Sequence, residues 1–283
     1  MTKLRITVVL LALVGALNSW SQGFGNRELI NADWYFNLGD IKYGGSEYFD
    51  HSEWRKLELP HDWSVEAVAS PELASCTGYL PGGIGWYRKD LDIPKVQNGN
   101  KVYIYFEGIY NNSEVFINGK WIGKRPNGYV SFMYELTPYL KFGGRNVLAV
   151  RVDHSQDADS RWYTGSGIYR DVYLVYANPV HIRLWGVSYS AKVNKKNAVL
   201  SVQTEVDNTG KLPVAVKVLH EVFDRDGKKV GAGSLDYSLR AGEMVKKELA
   251  VSIVQPKLWS LEDPYLYTIR TVSYTHLTLP TIA

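Results

Sequence analysis

Four stretches of the sequence carry residue types that can do chemistry. They are the adjacent pair His61-Asp62, the lone thiol of Cys76, the aspartates within segment 153–159, and the loop 162–167, which reads Trp-Tyr-Thr-Gly-Ser-Gly. A His-Asp pair can act in general acid–base catalysis, a thiol can be a nucleophile, and aspartates can bind calcium. Exposed aromatic rings can stack on sugar rings.

Structural roles are favoured for the first three of these stretches. Adjacent residues on an extended chain point to opposite faces, so His61 and Asp62 cannot easily share one hydrogen-bonded unit, and a turn whose Trp63 fills the core is expected instead. Cys76 is the only cysteine, which rules out an internal disulfide, and no His or Asn stands beside it in a recognisable pattern. The aspartates of segment 153–159 lack the central Gly and distal Glu of a calcium loop, which favours a solvated acidic loop.

The loop 162–167 leads directly into an apolar, β-branched run at 168–176, which predicts a strand. Loops that follow strands in a β-domain commonly carry its function. Taken alone, a structural turn is favoured here as well, because loops that combine aromatic residues with glycine are common in β-proteins. Other motifs are needed to assign this loop a function.

The composition is that of a globular protein with room for about two domains. Its 283 residues are 45% hydrophobic, 22% charged and 13% aromatic, which excludes a disordered or low-complexity chain. The formal net charge is +3, of which Lys3 and Arg5 supply two charges in a leader without acids. The rest of the chain is therefore nearly neutral, and we expect neither a nucleic acid nor an anionic membrane as a partner.

The first 21 residues have the pattern of an export signal. A basic start precedes an apolar run at 6–17, and small residues flank a predicted cleavage before Gln22. The apolar run is shorter than the roughly 20 residues that a membrane-spanning helix needs. We therefore expect a periplasmic or secreted protein, without a lipid anchor because no cysteine lies near the cleavage point.

Residues 24–178 are predicted to form a β-domain of many short strands. Strand patterns occur at 34–36, 54–59, 86–93, 101–110, 113–117 and 146–152, and a short helical turn is expected within 134–140. Asn118-Gly119 lies between two alternating apolar runs, which predicts a type I′ hairpin turn. The glycine-rich segment 78–85 leads into a strand and lacks a following Lys-Ser or Lys-Thr, so it is not a phosphate loop. The spacing of strands and turns predicts a sandwich or jelly roll.

Pro179 marks a domain boundary, and residues 179–271 are predicted to form an immunoglobulin-like sandwich without the usual cysteine pair. Strand patterns occur at 180–190, 198–206, 214–223 and 248–253, with a hairpin turn at Asp226-Gly227. From Val272 the sequence resembles a translated sequencing adapter, so 272–283 is interpreted as a non-native tail and the second domain as lacking its final strand. The predicted fold class is all-β, with a jelly-roll (galactose-binding-like) β-sandwich followed by an incomplete immunoglobulin-like β-sandwich.

Several motifs occur together in an order that resembles a known family. They are Leu-Pro-His-Asp-Trp-Ser-Val-Glu at 59–66, the glycine-rich run at 78–89, Phe-Ile-Asn-Gly-Lys at 116–120, the strand at 146–153 and the loop at 162–172. This set resembles the N-terminal region of glycoside hydrolase family 2, most closely bacterial β-galactosidases, from about Asn31 to about Thr271.

The resemblance implies an exported, retaining β-galactosidase that acts on terminal β-galactosides. Its two catalytic glutamates belong to a (β/α)₈ barrel of about 250 residues, and nothing in this chain matches their motifs. We therefore name no catalytic residue and expect the chain as given to be inactive. The family implies no organic cofactor, and although Mg²⁺ or Na⁺ occurs in some relatives, no set of metal ligands is legible here.

The resemblance also implies which loop residues contact the sugar. In the family, an acidic side chain stands two residues before the loop's Trp, and here Ser160 occupies that position, with Asp159 before it and Arg161-Trp162 after it. We expect Arg161 and Trp162 to be the main contacts, because Trp offers a face for a sugar ring and Arg offers fixed donors to hydroxyls. The alternative, that Arg161 pairs with an acid of its own loop, stays open. Gly82 and Gly83, in the other loop that approaches the site in relatives, can contribute backbone only.

Other functional classes stay open at the level of sequence. The chain is also compatible with a stand-alone jelly-roll carbohydrate-binding module or a structural adhesion protein, because fold alone does not separate these from an enzyme. β-Glucuronidases and β-mannosidases share the architecture, although the motifs at 60–63 and 81–86 favour galactosidases. The expected partner is a β-galactoside carbohydrate, and self-association into a homo-oligomer stays open.

Overall fold

The computed structural model describes residues 25–156, 160–194 and 196–275. The described residues are nearly all β, which confirms the predicted fold class. The chain divides into two compact units between Pro179 and Val180. No helix in the described ranges is long and apolar enough to cross a membrane. The expected leader at 1–21, Asp159 and residues 276–283 lie outside the described residues.

The first unit is a sandwich of two antiparallel sheets. The six-stranded sheet has the order β3-β2-β4-β9-β6-β7 and the four-stranded sheet the order β1-β10-β5-β8. The strands are β1 (Asn26–Leu29), β2 (Trp34–Leu38), β3 (Arg55–Leu57), β4 (Gly83–Asp92), β5 (Lys101–Phe106), β6 (Ser113–Ile117), β7 (Lys120–Arg125), β8 (Phe132–Glu135), β9 (Arg145–His154) and β10 (Val172–Ala177). Alternate residues of both sheets, among them Trp34, Tyr87, Phe106 and Leu148, form one buried core.

The Asn-Gly hairpin is confirmed. Asn118 and Gly119 join β6 to β7 with φ angles of 48° and 78°, the positive values that a type I′ turn requires at both central positions. The Asn118 side chain stabilises the turn further by accepting from the Val147 amide and donating to the Tyr139 carbonyl and the Asn146 side chain. The turn is therefore tied to the start of β9.

The strand predicted at 168–176 is shorter than expected, because β10 begins at Val172. The residues before it bond to two different segments instead of to one neighbouring strand. Gly167 forms an isolated bridge with Tyr110, and the Ile168 carbonyl accepts from the His61 amide. The predicted helical turn within 134–140 is likewise reduced to a 3₁₀ turn at Thr137–Tyr139, since residues 134 and 135 belong to β8.

A segment that we call the strap, residues 39–54, crosses the outer face of the six-stranded sheet. Its backbone at Gly44 lies against the ring of Trp86, where an added Cβ would come within 2.8 Å of ring carbon. The fully buried Arg88 donates to the carbonyls of Gly44, Ser46 and Phe49, and its Nε donates to His51 Nδ1 at 3.1 Å. Trp86 and Arg88 flank Tyr87, which points into the core. Side chains of strand β4 therefore pack on both faces of the sheet, Tyr87 in the core and Trp86 and Arg88 against the strap.

The second unit has two three-stranded antiparallel sheets with the orders β11-β12-β15 and β14-β13-β16. Its strands are β11 (Val180–Val193), β12 (Asn197–Asn208), β13 (Val214–Phe223), β14 (Lys229–Leu239), β15 (Met244–Val254) and β16 (Thr268–Thr275). Gly227, with a φ of 77°, lies in the turn between β13 and β14. Strand β16 runs four residues beyond the domain end expected at 271, because residues 272–275 continue its pairing with β13. That residues from Val272 onward derive from an adapter stays a prediction.

Candidate functional site

Three loops meet at one end of the six-stranded sheet in the first unit. Gly83, the first residue of β4, pairs with His154, the last residue of β9, so the loops before one and after the other start side by side. A third loop, 60–66, is bonded to the first: Trp63 Nε1 donates to the Gly82 carbonyl at 3.0 Å, and Ser64 Oγ donates to the Pro81 carbonyl at 2.7 Å. The loops around Gly82 and Trp162, which the family resemblance singles out, therefore lie at the same end of the sheet.

A buried chain of hydrogen bonds holds these loops together. Ser64 Oγ lies 2.5 Å from Ser166 Oγ, which lies 2.6 Å from His154 Nδ1. Because Ser64 gives its own proton to the Pro81 carbonyl, Ser166 must donate to Ser64, and His154 must carry its proton on Nδ1 and donate to Ser166. All three side chains are buried, so this Ser-His contact is structural and offers no exposed nucleophile.

Asp62 and His61 bond to different partners, as adjacent residues of an extended segment should. Asp62 Oδ1 accepts the amides of Ser64 and Ser166 at 3.0 and 2.9 Å, and thereby joins the loop 60–66 to the loop 160–168. His61 lies 2.7 Å from the Tyr87 hydroxyl through Nδ1 and accepts from Arg55 through Nε2. Burial lowers the pKa of His61. The expected structural turn is confirmed, and its Trp63 is buried in the core.

Close packing explains the glycines of this region. A Cβ at Gly82 would lie 2.1 Å from the His154 carbonyl oxygen, so the two backbones touch. Gly165 has a φ of 74° and lies against Asp62 Oδ2. A side chain at either position would separate the loops that Asp62 and Ser64 tie together.

Above this buried layer, an aromatic surface faces solvent. Trp162 is 60% exposed and Tyr129 48% exposed, and Trp162 Nε1 donates to the Tyr129 hydroxyl at 3.0 Å. The Tyr129 ring packs edge-on against Tyr110, which packs edge-on against His154. Tyr163 donates its hydroxyl to Asp62, and burial together with that carboxylate raises the tyrosine pKa. The exposed rings are thus fixed in position from below.

The structure brings three of the four predicted site residues together at this surface. Arg161 and Trp162 are exposed, and Ser160 is half-buried with its hydroxyl donating to the Trp162 carbonyl at 2.8 Å. Asp159 lies outside the described residues. Asp157, a second acid of this loop, also lies outside the described residues. The alternative that Arg161 pairs with an acid of its own loop therefore stays open.

Tyr129 was missed by the sequence analysis. The available signal was the Asn127-Gly128 pair before it, which marks a turn. In the structure, Asn127 Oδ1 accepts the amides of Tyr129 and Val130, and Gly128 lies so close to the Tyr110 ring that a Cβ would come within 2.2 Å. The turn thereby presents Tyr129 to Trp162.

The chemistry available at this surface is binding. An indole face, a phenol and a guanidinium are presented to solvent, while His61, Asp62 and His154 are already engaged in structural hydrogen bonds. Within the ranges that the structure describes, no cluster of three or more His, Cys, Asp or Glu side chains could hold a metal ion.

Comparisons with known proteins match both units of the chain. The family described as "Glycosyl hydrolases family 2, sugar binding domain" matches residues 29–179, and "Glycosyl hydrolases family 2" matches residues 180–275. The chain is 44% identical over 248 residues to the β-galactosidase BoGH2A of Bacteroides ovatus, covering 87% of this chain and 29% of that protein. It is 37% identical over 244 residues to a putative β-glucuronidase of Formosa agariphila, covering 85% of this chain and 23% of that protein.

Among solved structures, a β-glycosidase from Bacteroides vulgatus superposes with a TM-score of 0.78 at 40% identity, covering 88% of this chain and 32% of that one. The chain therefore spans less than a third of the length of each of these three relatives.

Proposed function

The chain belongs to glycosyl hydrolases family 2, and from this premise we propose that it is the N-terminal part of a retaining β-galactosidase. In this proposal the (β/α)₈ barrel that carries the catalytic glutamates lies in a part of the protein beyond this chain. The first unit contributes the aromatic surface of Trp162 and Tyr129 to the rim of the substrate site. The exposed Trp162, held by Tyr129 where three loops converge, is the observation that supports this role.

Trp162 would stack on the apolar face of a galactose ring, and Arg161 would donate to ring hydroxyls. The hydrogen bond to Tyr129 fixes the indole before the sugar arrives, so less side-chain entropy is lost on binding. The hydrogen bonds of Asp62, Ser64 and Ser166 fix the loop backbone in the same way. None of these residues makes or breaks a bond in the proposed reaction.

A second candidate substrate is a β-glucuronide. The exposed guanidinium of Arg161 could pair with the carboxylate of a glucuronic acid, a stronger contact than one with a neutral hydroxyl. A relative 37% identical to the chain bears the name of a putative β-glucuronidase. We favour the galactoside because the relative at 44% identity is a β-galactosidase and because the motifs at 60–63 and 81–86 resemble galactosidases.

The test begins with long-read sequencing of the source DNA across the codon for residue 271, from a library made without transposon adapters. A frame that continues into a barrel would be expressed and assayed on aryl β-galactoside and aryl β-glucuronide. We expect hydrolysis of the galactoside, and Trp162→Ala should lower kcat/KM about tenfold, the loss of one ring-stacking contact. Tyr129→Phe, which removes only the hydroxyl, serves as the matched variant and should have a smaller effect.

Two results would contradict the proposal. A frame that ends without a barrel would favour a carbohydrate-binding module, and faster hydrolysis of the glucuronide would move the assignment to the second candidate. In the latter case Arg161→Met should abolish the preference for the glucuronide, because the carboxylate would lose its partner.

We also propose that the protein is exported, on the basis of the leader pattern at 1–21. N-terminal sequencing of the protein recovered from its source should then begin at Gln22. An N-terminus at Met1 would contradict export by this signal.

A further inference from the structure

A groove of about 660 Å³ lies on the outer face of the six-stranded sheet, under the edge of the strap. Its floor is formed by the rings of Trp86 and Phe116, which lie 5.8 Å apart between centroids. Trp86 is only 4% exposed, so these rings support the groove and offer a ligand little surface. Strap residues 43–48 form one wall, and residues 118–120 of the hairpin turn form the other. A volume of this size is within the usual range of small-molecule sites.

The groove is distinct from the surface around Trp162. Phe116 pairs with Ala149 of β9, whereas the loops of the Trp162 surface begin at His154. Five residues of β-strand separate these two positions, a distance of roughly 17 Å. Trp86, the other floor residue, pairs with Arg151, three residues or roughly 10 Å from His154, and none of the residues that line the groove belongs to the Trp162 surface.

The walls of the groove are built into the fold. An added Cβ at Gly44 or Gly45 would come within 2.8 Å of the ring of Trp86 or Phe116, so the strap backbone rests directly on the floor. Arg88 fixes that backbone from below through the carbonyls of Gly44 and Ser46. The groove therefore exists before any ligand arrives.

Two tyrosines of the strap are exposed beside this floor. Tyr43 is 72% exposed and Tyr48 is 91% exposed, so their rings contribute little to the core. Tyr43 also has a φ of 63°, a left-handed conformation that costs energy for an aromatic residue. A turn that served only to reverse the chain would favour Gly or Asn at such a position.

The rim of the groove is polar and carries both signs of charge. Glu47 of the strap pairs with Lys141, and Lys120 lies on the opposite wall next to Gly119. A wholly apolar ligand would have to desolvate these groups without offering them hydrogen bonds.

Aromatic rings bordered by mixed hydrogen-bonding groups fit a neutral sugar, whose rings have apolar faces and hydroxyl edges. We propose that this groove is a second glycan-binding site, which takes a short run of neutral sugars within a polysaccharide chain, with the rings of Tyr43 and Tyr48 stacked on them. Both tyrosine rings are largely exposed, so the site can accept the interior of a chain as well as an end. Such a site would hold the protein on its polymer independently of the Trp162 surface.

Affinity electrophoresis of the purified chain tests this, in native gels that contain galactan, glucomannan or arabinoxylan. At least one of these neutral polysaccharides should retard the protein. The double variant Tyr43→Ala/Tyr48→Ala should bind it about tenfold more weakly, as expected when ring-stacking contacts are lost. The matched variant Tyr43→Phe/Tyr48→Phe keeps both ring faces and should be retarded nearly as strongly as the parent chain.

Trp162→Ala separates this proposal from the proposed function, because it alters the other surface and should leave retardation unchanged in the glucomannan and arabinoxylan gels, which offer that surface no galactoside. Loss of retardation in Trp162→Ala, with the tyrosine variants unaffected, would overturn the groove and favour sugar binding at the Trp162 surface. Absence of retardation in all three gels would also overturn it. Both tyrosines are exposed, so equal thermal unfolding midpoints of parent and variants will show that any loss of binding is local.

Discussion

Arg88→Met should release the strap and destabilise the first unit. The Arg88 guanidinium is fully buried and donates to three strap carbonyls and to His51 Nδ1. Burial lowers the pKa of Arg88 to about 10, so the side chain remains a cation at neutral pH. Methionine has a similar length and fills much of the same volume, so the variant mainly removes donors.

The size of the effect follows from which acceptors water can reach. The Ser46 and Phe49 carbonyls are only part-buried and can bond to water after the change, whereas the bonds to Gly44 and His51 are buried. A hydrogen bond from a charged donor contributes about 1.5–3 kcal/mol, and removing the buried cation recovers part of its desolvation cost. We therefore expect the free energy of unfolding to fall by about 3 kcal/mol.

The measurement is urea unfolding followed by tryptophan fluorescence, which reports mainly on the first unit because six of the nine tryptophans lie there. The two units are fitted as separate transitions, since a two-unit chain need not unfold in one step. Arg145→Met is the matched control, because that arginine is largely exposed and its ion pair with Asp90 should contribute less than about 1 kcal/mol. Arg88→Lys keeps the charge but loses the planar fork of donors, so its stability should lie between parent and Arg88→Met.

A loss of less than about 1 kcal/mol in Arg88→Met, equal to that of Arg145→Met, would refute the assignment of Arg88 as the residue that holds the strap. Hydrogen exchange gives an independent check. The amides of residues 39–54 should exchange faster in Arg88→Met and remain unchanged in Arg145→Met.

Three further predictions concern pH, packing and the second unit. Burial lowers the pKa of His51, His61 and His220 below 6.5, so the unfolded chain binds more protons than the folded chain in this range. The free energy of unfolding should therefore fall as the pH drops below about 6.5, which urea titrations at several pH values will measure. A flat profile from pH 7 to 5 would contradict this. Gly82→Ala should lower the free energy of unfolding by about 2 kcal/mol or more in the same assay, because its Cβ would strike the His154 carbonyl. The control Gly144→Ala should leave the free energy of unfolding nearly unchanged, because its Cβ would meet nothing closer than 3.7 Å. Limited proteolysis should cut the second unit before the first. The described buried apolar residues of the second unit form two small clusters of six and five residues, whereas those of the first unit form one cluster of 22. Equal resistance of both units to the protease would refute this prediction.

Local sequence signals predicted the elements that depend on neighbouring residues. The Asn118-Gly119 turn is specified by two residues that tolerate positive φ, and its hairpin follows from the alternation on either side. The start of β10 could not be predicted in this way. Residues 168–171 have strand-like composition, but the Ile168 carbonyl is taken by the His61 amide, more than 100 residues away in sequence.

The residues of the candidate site differ in the same way: some could be predicted from the local sequence, and others depend on contacts between distant segments. Trp162 and Arg161 stood out through their own loop and its resemblance to a family, and both are exposed as a binding role requires. Tyr129 and the ties through Asp62 and Ser166 depend on contacts across 33 to 104 residues of sequence. Burial of Arg88 could not be predicted either, because an arginine in a strand ordinarily points to solvent and only the strap above it removes that solvent.

The side chains of strand β4 fix the register of this strand in the six-stranded sheet, because successive residues have partners on opposite faces. Tyr87 supports His61 from the core side, while Trp86 and Arg88 carry the strap on the outer side. A slip of one residue would place a guanidinium in the apolar core and a tyrosine beneath the strap, so both faces of the sheet would be damaged by the same error. The loops at either end of this strand can therefore change in length and sequence during evolution, but a single inserted or deleted residue within 83–92 should prevent the first unit from folding.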